Sequence, residues 1–140
     1  MFDKKIIMII DDDSDDRFFF IEAVREIDAS IECREAQQGV EALEQLRNSD
    51  SLPDFIFLDL NMHLMDGWQC LAELKKDECL KNIPVIIYTT SNFKEDMDLT
   101  IKQGAVYYLV KPSDISNLPG EIIKAMQKAE EATTLLKKEV

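Results

Sequence analysis

Five short apolar runs alternate along the chain with segments in which apolar residues recur at helical spacing. Apolar runs without polar alternation are typical of strands that are covered on both faces, as in parallel sheets. The predicted strands cover residues 6–10, 31–36, 55–60, 85–88 and 106–110. The second run includes charged residues and has the weakest pattern of the five.

Five helices are predicted by the segments between and after these strands. They begin after an N-cap formed by Asp13 or Ser14, at residue 39, near residue 68, at residue 94 and at residue 119, and the last one continues to about residue 138. In the second helix, Val40, Leu43 and Leu46 are predicted to face the core. Because parallel strands are joined by crossover helices, the alternation predicts a doubly wound α/β sheet in a single domain.

Composition narrows the classes of function. Sixteen Lys and Arg residues against 28 Asp and Glu residues give a net charge of −12, which argues against a nucleic-acid ligand because phosphate backbones require a basic surface. Cys33, Cys70 and Cys79 form neither a CxxC pair nor a Cys–His cluster, which favours reduced cysteines and the cytoplasm. Since no apolar stretch approaches the roughly 20 residues of a membrane span, we expect no membrane association.

Polar side chains follow four of the predicted strands at the point where each strand ends. They are Asp11, Asp12, Asp59, Thr89 and Lys111. The carboxyl ends of parallel strands lie at one edge of a sheet, where ligands bind, so these side chains are expected to meet. Carboxylates crowded together repel one another unless a cation shares them. The arrangement therefore predicts a cation site.

Magnesium suits an oxygen-only site of this kind, because Mg²⁺ takes a few protein oxygens and keeps some of its waters. Asp12 and Asp59, with the backbone carbonyl of Asn61, can supply a partial shell, and Asp11 can act partly through water. A cation beside an aspartate, with a lysine and a hydroxyl nearby, indicates phosphoryl transfer with the carboxylate as nucleophile. Lys111 and Thr89 are the candidates for contacting the phosphoryl oxygens.

The complete set of motifs resembles the receiver domain of two-component response regulators. These motifs are Asp11-Asp12, Phe57-Leu58-Asp59-Leu60-Asn61-Met62, Met65-Asp66-Gly67, Thr89 and Lys111-Pro112. The resemblance covers about residues 4–128, and the motifs occur in the family's order and spacing. It implies a flavodoxin-like fold, with five parallel strands in the order 2-1-3-4-5 and helices on both faces.

The resemblance also implies roles for individual residues. Asp59 would be the phosphoacceptor, and Thr89 and Tyr108 would form the family's switch pair. The Lys111–Pro112 peptide bond would be cis. The implied Mg²⁺ or Mn²⁺ ligands are Asp11, Asp12, Asp59 and the backbone carbonyl of Asn61.

The same resemblance implies which classes of protein would interact with this chain. The phosphoryl donor would be a sensor histidine kinase or a histidine phosphotransfer protein, and an unidentified protein would receive the signal. The face formed by the fourth helix, the fifth strand and the last helix would contact partners or form a homodimer, with a monomer equally open. We expect one receiver domain over residues 1–140, of the small stand-alone type paired with bacterial phytochromes and hybrid kinases. Residues 129–140 would prolong the last helix.

One residue departs from the family pattern. His63 stands where the family usually has proline, so the loop after Asp59 is expected to be more mobile than in other members. Phosphotransfer histidines lie on helices of other domains, and His63 is therefore interpreted as an exposed loop residue rather than a relay group.

Two other classes of protein compete with this interpretation. A Mg²⁺-dependent phosphatase can also form an aspartyl-phosphate, but such enzymes generally carry an acid/base aspartate two positions after the nucleophile, where this chain has Asn61. A flavin-binding protein of similar fold would need a phosphate-binding loop after the first strand. The acidic residues 11–16 would repel that phosphate.

Overall fold

The computed structural model describes residues 5–139, and the side chains of residues 5–135. Strands and helices alternate as the sequence predicts, with boundaries displaced by a few residues. The elements are β1 (Ile6–Ile10), α1 (Ser14–Ile27), β2 (Glu32–Ala36), α2 (Gly39–Arg47), β3 (Phe55–Leu58), α3 (Gly67–Lys76), β4 (Val85–Thr89), α4 (Lys94–Lys102), β5 (Tyr107–Val110), a 3₁₀ turn (Ile115–Asn117) and α5 (Leu118–Glu139).

The five strands form one parallel sheet in the order β2-β1-β3-β4-β5, which confirms the predicted topology. The backbone hydrogen bonds of the sheet continue for one residue beyond the ends of β3 and β5. The amide of Asp59 donates to the carbonyl of Ile10 at 3.0 Å, and the amide of Lys111 donates to the carbonyl of Thr89 at 2.7 Å. The polar residues that follow the strands are therefore held in register with one another.

Two apolar layers cover the sheet, because alternate side chains of a strand point to opposite faces. On one face, Ile7, Ile9 and Phe57 pack against α1 and α5. On the other face, Met8 and Leu58 pack against α2 and α3. Burial of both faces explains why the strands β1, β3 and β4 have no polar alternation.

The predicted inner face of α2 is partly wrong. Leu43 and Leu46 are buried as expected, but Val40 is 42% exposed and Ala42 is buried in its stead. Positions 39, 42, 43 and 46 form one stripe at helical spacing, and position 40 lies outside that stripe. Val40 is therefore exposed although valine is apolar, because its position on the helix lies outside the buried stripe.

Helix α1 has a well-defined beginning. Asp13 is the N-cap of α1, and its side chain accepts hydrogen bonds from the amides of Asp15 and Asp16 at 2.9 and 3.1 Å.

Helix α5 runs to Glu139, and Val140 lies outside the described residues. Within the described part of the chain, no helix is both long and apolar enough to cross a membrane.

Gly67 places α3 directly against the end of β3. Its amide donates to the carbonyl of Leu60 at 3.0 Å. A Cβ atom at this position would lie 2.2 Å from the backbone oxygen of Asp59 and 2.5 Å from the Cα atom of Leu60. Only glycine therefore allows the helix to begin here, which explains the Asp66-Gly67 pair in the sequence.

Replacement of Gly67 by alanine tests this close approach. We expect Gly67→Ala to lower the free energy of unfolding by roughly 3 kcal/mol or more, because the added methyl group meets backbone atoms that cannot turn away. Gly120→Ala is the matched control. A Cβ atom there has nothing within 4 Å, and alanine in a helix is favoured over glycine by up to about 1 kcal/mol. Denaturant midpoints measure both changes, and equal midpoints for the two variants would contradict the close approach.

Candidate functional site

Three carboxylates meet at the carboxyl edge of the sheet. Asp11 and Asp12 follow β1, and Asp59 follows the neighbouring strand β3. One oxygen atom from each of the three residues lies within 4.8 Å of the other two. Asp11 and Asp59 are buried, whereas Asp12 is exposed. The predicted acidic cluster is therefore present, with one of its members open to solvent.

Among the described side chains, one ammonium group, that of Lys111, stands beside this cluster. The Nζ atom of Lys111 lies 2.8 Å from Oδ2 of Asp11 and 3.3 Å from Oδ2 of Asp59. It also donates a hydrogen bond of 2.7 Å to Oδ2 of Asp16, a residue in the first turn of α1. The Lys111 side chain is 10% exposed, so most of its charge is balanced by these carboxylates rather than by water.

Burial and pairing shift the pKa values of two of these groups. Burial raises the pKa of the Asp11 carboxyl above its usual range, although the neighbouring Lys111 acts in the opposite direction. Burial alone would lower the pKa of Lys111, but its close pairing with the carboxylates of Asp11 and Asp16 and the charge of Asp59 outweigh burial and raise the pKa above the ordinary lysine value. Lys111 is therefore a permanently charged group at neutral pH.

The donor set fits a hard divalent cation. Oδ2 of Asp11 is fully buried and makes no hydrogen bond of good geometry, although it lies 2.8 Å from the ammonium of Lys111. Buried polar atoms normally have a partner, and a cation shared with Asp12 and Asp59 would provide one. The acidic triad thus forms a candidate metal site.

Asn61 lies between the triad and β4. Its amide donates to Oδ1 of Asp59 at 3.2 Å, and its side-chain nitrogen lies 3.5 Å from Oγ1 of Thr89. Thr89, at the end of β4, is fully buried. The Asn61 carbonyl as a metal ligand stays a prediction.

Tyr108 is half-buried on β5, and its hydroxyl donates to the backbone oxygen of Ser91 at 2.9 Å. The hydroxyl of Ser91 donates in turn to Asp96 on α4 at 2.6 Å. These two bonds tie the loop after β4 both to β5 and to α4. The predicted switch role of Tyr108 has a structural setting here and stays a prediction.

The loop after Asp59 is anchored to the acidic cluster. The backbone amide of His63 donates to Oδ2 of Asp12 at 3.1 Å, and the His63 side chain is exposed. Leu64 has a φ of 62°, a left-handed conformation that is uncommon for a residue with a side chain. A surface cleft of about 410 Å³ borders this loop and is lined by Asp12, Asn61, His63 and Trp68 among others.

The expected cis bond before Pro112 is wrong. The backbone between residues 5 and 139 contains no cis peptide bond, so Lys111–Pro112 is trans. Trans is the favoured isomer for a bond before proline by about 0.5–1 kcal/mol. The Lys111 ammonium reaches the carboxylates with this ordinary geometry.

Two residues of the site were missed from the sequence. One is Asp16, which lies in the first turn of α1 and donates no ligand to the triad but accepts a hydrogen bond from Lys111. The other is Arg17, which is buried, donates from Nη1 to the backbone oxygen of Asp11 at 2.7 Å and pairs with Glu35 at 2.9 Å. A basic residue directly after an acidic run was the available signal for Arg17.

Comparisons with known proteins agree with this geometry. The sequence pattern of the response regulator receiver domain matches residues 7–138. The sensor histidine kinase CheAY of Helicobacter pylori is 36% identical over 107 residues, which are 76% of this chain. The chain spans only 13% of the length of that kinase.

Solved structures with high similarity include two phytochrome-related regulators. The phosphorylated cyanobacterial phytochrome response regulator RcpA superposes with a TM-score of 0.79 at 32% identity, covering 89% of this chain and 92% of that one. The Mn²⁺-bound form of response regulator Rcp1, a protein of Synechocystis, gives a TM-score of 0.75 at 28% identity, covering 84% and 88%. The chain belongs to the response regulator receiver domains of two-component signalling and resembles the phytochrome response regulators.

Proposed function

We propose that this receiver domain accepts a phosphoryl group on Asp59, with Mg²⁺ bound, and signals through contacts with other proteins. The observation that carries the proposal is the setting of Asp59. Its Oδ2 atom lies 3.3 Å from the ammonium of Lys111, and its carboxylate shares a compact cluster with Asp11 and Asp12. A buried carboxylate between a cation site and an ammonium is placed to act as a nucleophile toward a phosphoryl group.

The proposed transfer forms one bond and breaks one. A carboxylate oxygen of Asp59 attacks the phosphorus atom, and the P–N bond of the donor phosphohistidine breaks. The electron pair of that bond stays on the imidazole nitrogen, which takes up a proton. The ammonium of Lys111 offsets charge on the phosphoryl oxygens, and the hydroxyl of Thr89 donates a hydrogen bond to one of them. A bound Mg²⁺ supplies further positive charge for the same oxygens.

The proposed donor is a sensor histidine kinase or a histidine phosphotransfer protein. Receiver domains are phosphorylated by histidine kinases, and one matched relative is itself named a sensor histidine kinase. The similarity to a phosphorylated phytochrome response regulator supports a phosphoacceptor role for this chain. In this proposal the domain catalyses only its own phosphorylation and dephosphorylation.

The proposed output surface is the face formed by α4, β5 and α5. Phe93 is 66% exposed at the start of α4, and Leu99 and Ile101 are exposed along that helix. Tyr108 lies on the neighbouring strand and holds the loop that follows β4 through Ser91. A phosphoryl group that attracts the hydroxyl of Thr89 would pull on this loop, and Tyr108 would then respond. Apolar side chains on this face suit a protein partner or a second copy of the chain.

Asp59 can be tested by labelling with acetyl phosphate in the presence of Mg²⁺. We expect one phosphoryl group per chain in the parent protein and background labelling in Asp59→Asn, because an amide oxygen is a far weaker nucleophile than a carboxylate. Asp98→Asn, at an exposed position of α4, is the matched control and should label like the parent. Equal labelling of Asp59→Asn and the parent would overturn the assignment.

Incubation with a generic phosphomonoester in place of acetyl phosphate separates the receiver from a phosphatase. A phosphatase shows sustained turnover of the phosphomonoester, whereas a receiver forms at most one aspartyl-phosphate per chain, which then decays. The amide side chain of Asn61, near Thr89, lacks the acid/base group that such turnover needs.

Metal binding can be followed by fluorescence. Trp68 is the single tryptophan of the chain and lines the same cleft as Asp12, so its emission should change on titration with Mg²⁺. We expect Asp12→Asn to weaken the apparent affinity by about tenfold or more, since it removes one charged ligand. Asp15→Asn removes the same charge from an exposed position outside the triad and should leave the affinity within about twofold. Equal affinities for the parent and Asp12→Asn would exclude the triad as the metal site.

A further inference from the structure

Lys111 has three carboxylate partners, and one of them differs from the other two. Asp11 and Asp59 belong to the triad that can hold a cation, whereas Asp16 is not part of that group. The hydrogen bond to Asp16 is the shortest of the three contacts, at 2.7 Å, and the hydrogen bond to Asp59 is 3.3 Å long. Asp16 therefore holds the ammonium without being a candidate metal ligand.

The backbone that carries the Asp16 carboxylate is held in place. Asp16 lies in the first turn of α1, and its amide donates to the capping side chain of Asp13 at 3.1 Å. On another side, the ammonium lies 5.4 Å from the ring centroid of Tyr88, a distance at which an aromatic face attracts a cation. The end of a flexible lysine side chain is thus confined between two groups of fixed position.

This confinement matters when a divalent cation binds. The oxygens of Asp11 and Asp59 would turn toward a cation bound at the triad, and the positive charge of that cation would repel the nearby ammonium. Without another anionic partner, Lys111 would leave the place from which it can reach a phosphoryl group on Asp59. Among the three carboxylates within ion-pair distance of Lys111, Asp16 alone stays available under these conditions.

We propose that Asp16 is a positioning residue for phosphoryl transfer, whose carboxylate keeps the Lys111 ammonium beside Asp59 once the cation has bound. The inference rests on the proposed function, because it assigns Lys111 to the phosphoryl group. Asp16 acts through Lys111 and does not touch the reacting atoms. It extends the site from the strand ends to the first turn of α1.

Asp15 provides a matched comparison for Asp16. Both residues lie in the first turn of α1, and both amides donate to the side chain of Asp13. Asp15 is exposed, whereas Asp16 is half-buried and paired with Lys111. Loss of either carboxylate removes one negative charge from the same helical turn. Only the loss of Asp16 removes a partner of the ammonium.

The test is the rate of phosphorylation by acetyl phosphate at saturating Mg²⁺, with the maximal rate constant kcat and the KM for acetyl phosphate measured separately. We expect Asp16→Ala to lower kcat about tenfold, in the range seen when a supporting hydrogen bond of a reactive group is removed. KM should stay unchanged or fall, because the variant repels the anionic donor less. Asp16→Asn, which keeps an oxygen acceptor but no charge, should lie between the parent and Asp16→Ala.

Two controls make the outcome specific. Asp15→Ala should keep the kcat of the parent. In a Lys111→Ala background, Asp16→Ala should not lower kcat further, because the effects of coupled residues are not additive. Equal effects of Asp15→Ala and Asp16→Ala, an effect on KM alone, or a persisting effect in the Lys111→Ala background would each overturn the inference. A far-UV circular dichroism spectrum like that of the parent establishes that each variant is folded.

Failure of the proposed function would show differently from failure of this inference. If Asp59→Asn labels like the parent, the phosphoacceptor assignment fails, and the role of Asp16 fails with it. If Asp59→Asn loses the label while Asp16→Ala keeps the kcat of the parent, only the positioning role fails.

Discussion

Charge balance at the carboxyl edge of the sheet is the constraint on which the rest of the site depends. Four carboxylates, those of Asp11, Asp12, Asp16 and Asp59, converge near the single ammonium of Lys111. A buried charge without a partner costs several kcal/mol, so this crowding persists only because each group has a counter-charge, a hydrogen bond or access to solvent. One ammonium cannot neutralise four carboxylates. The remaining negative charge is what makes the edge attractive to a divalent cation.

The fold supports this cluster from several directions. The sheet register brings the ends of β1 and β3 side by side, and Gly67 lets α3 begin against the backbone of Asp59. Arg17 fixes the backbone oxygen of Asp11 from α1, and Asp13 caps the same helix. The site is therefore built on the ends of regular elements, which vary less in position than loops do.

Most of the site was predictable because its residues mark strand ends. Asp11, Asp59, Thr89 and Lys111 each follow or close a strand, and parallel strands bring such ends to one edge. Asp16 was not predictable in the same way. Its contact with Lys111 joins residues 95 apart and depends on how α1 is oriented over the sheet. Asp15 and Asp16 are the same residue type side by side in the sequence. Because successive residues of a helix point about 100° apart, their side chains nevertheless have different surroundings.

The correction for Val40 has a related cause. The sequence of a helix shows how many apolar residues it contains, but tertiary packing decides which face of the helix is buried. The geometry of the Lys111–Pro112 bond was inferred from the resemblance, and nothing in the local sequence requires the cis isomer. The strand ends thus come together as predicted, whereas the inward position of Val40 and the cis isomer before Pro112 were wrong.

The charged residues of strand β2 limit how the sheet can pair with other molecules. It lies at the outer edge of the sheet and carries Glu32, Arg34 and Glu35, which explains its weak apolar pattern. Arg34 reaches the backbone oxygen of Ser51 at 2.8 Å. Charged side chains along an edge strand discourage pairing with a strand of another molecule. The sheet is consequently protected from growing by strand addition at this edge, and of its two edge strands only β5 belongs to the face proposed to meet a partner.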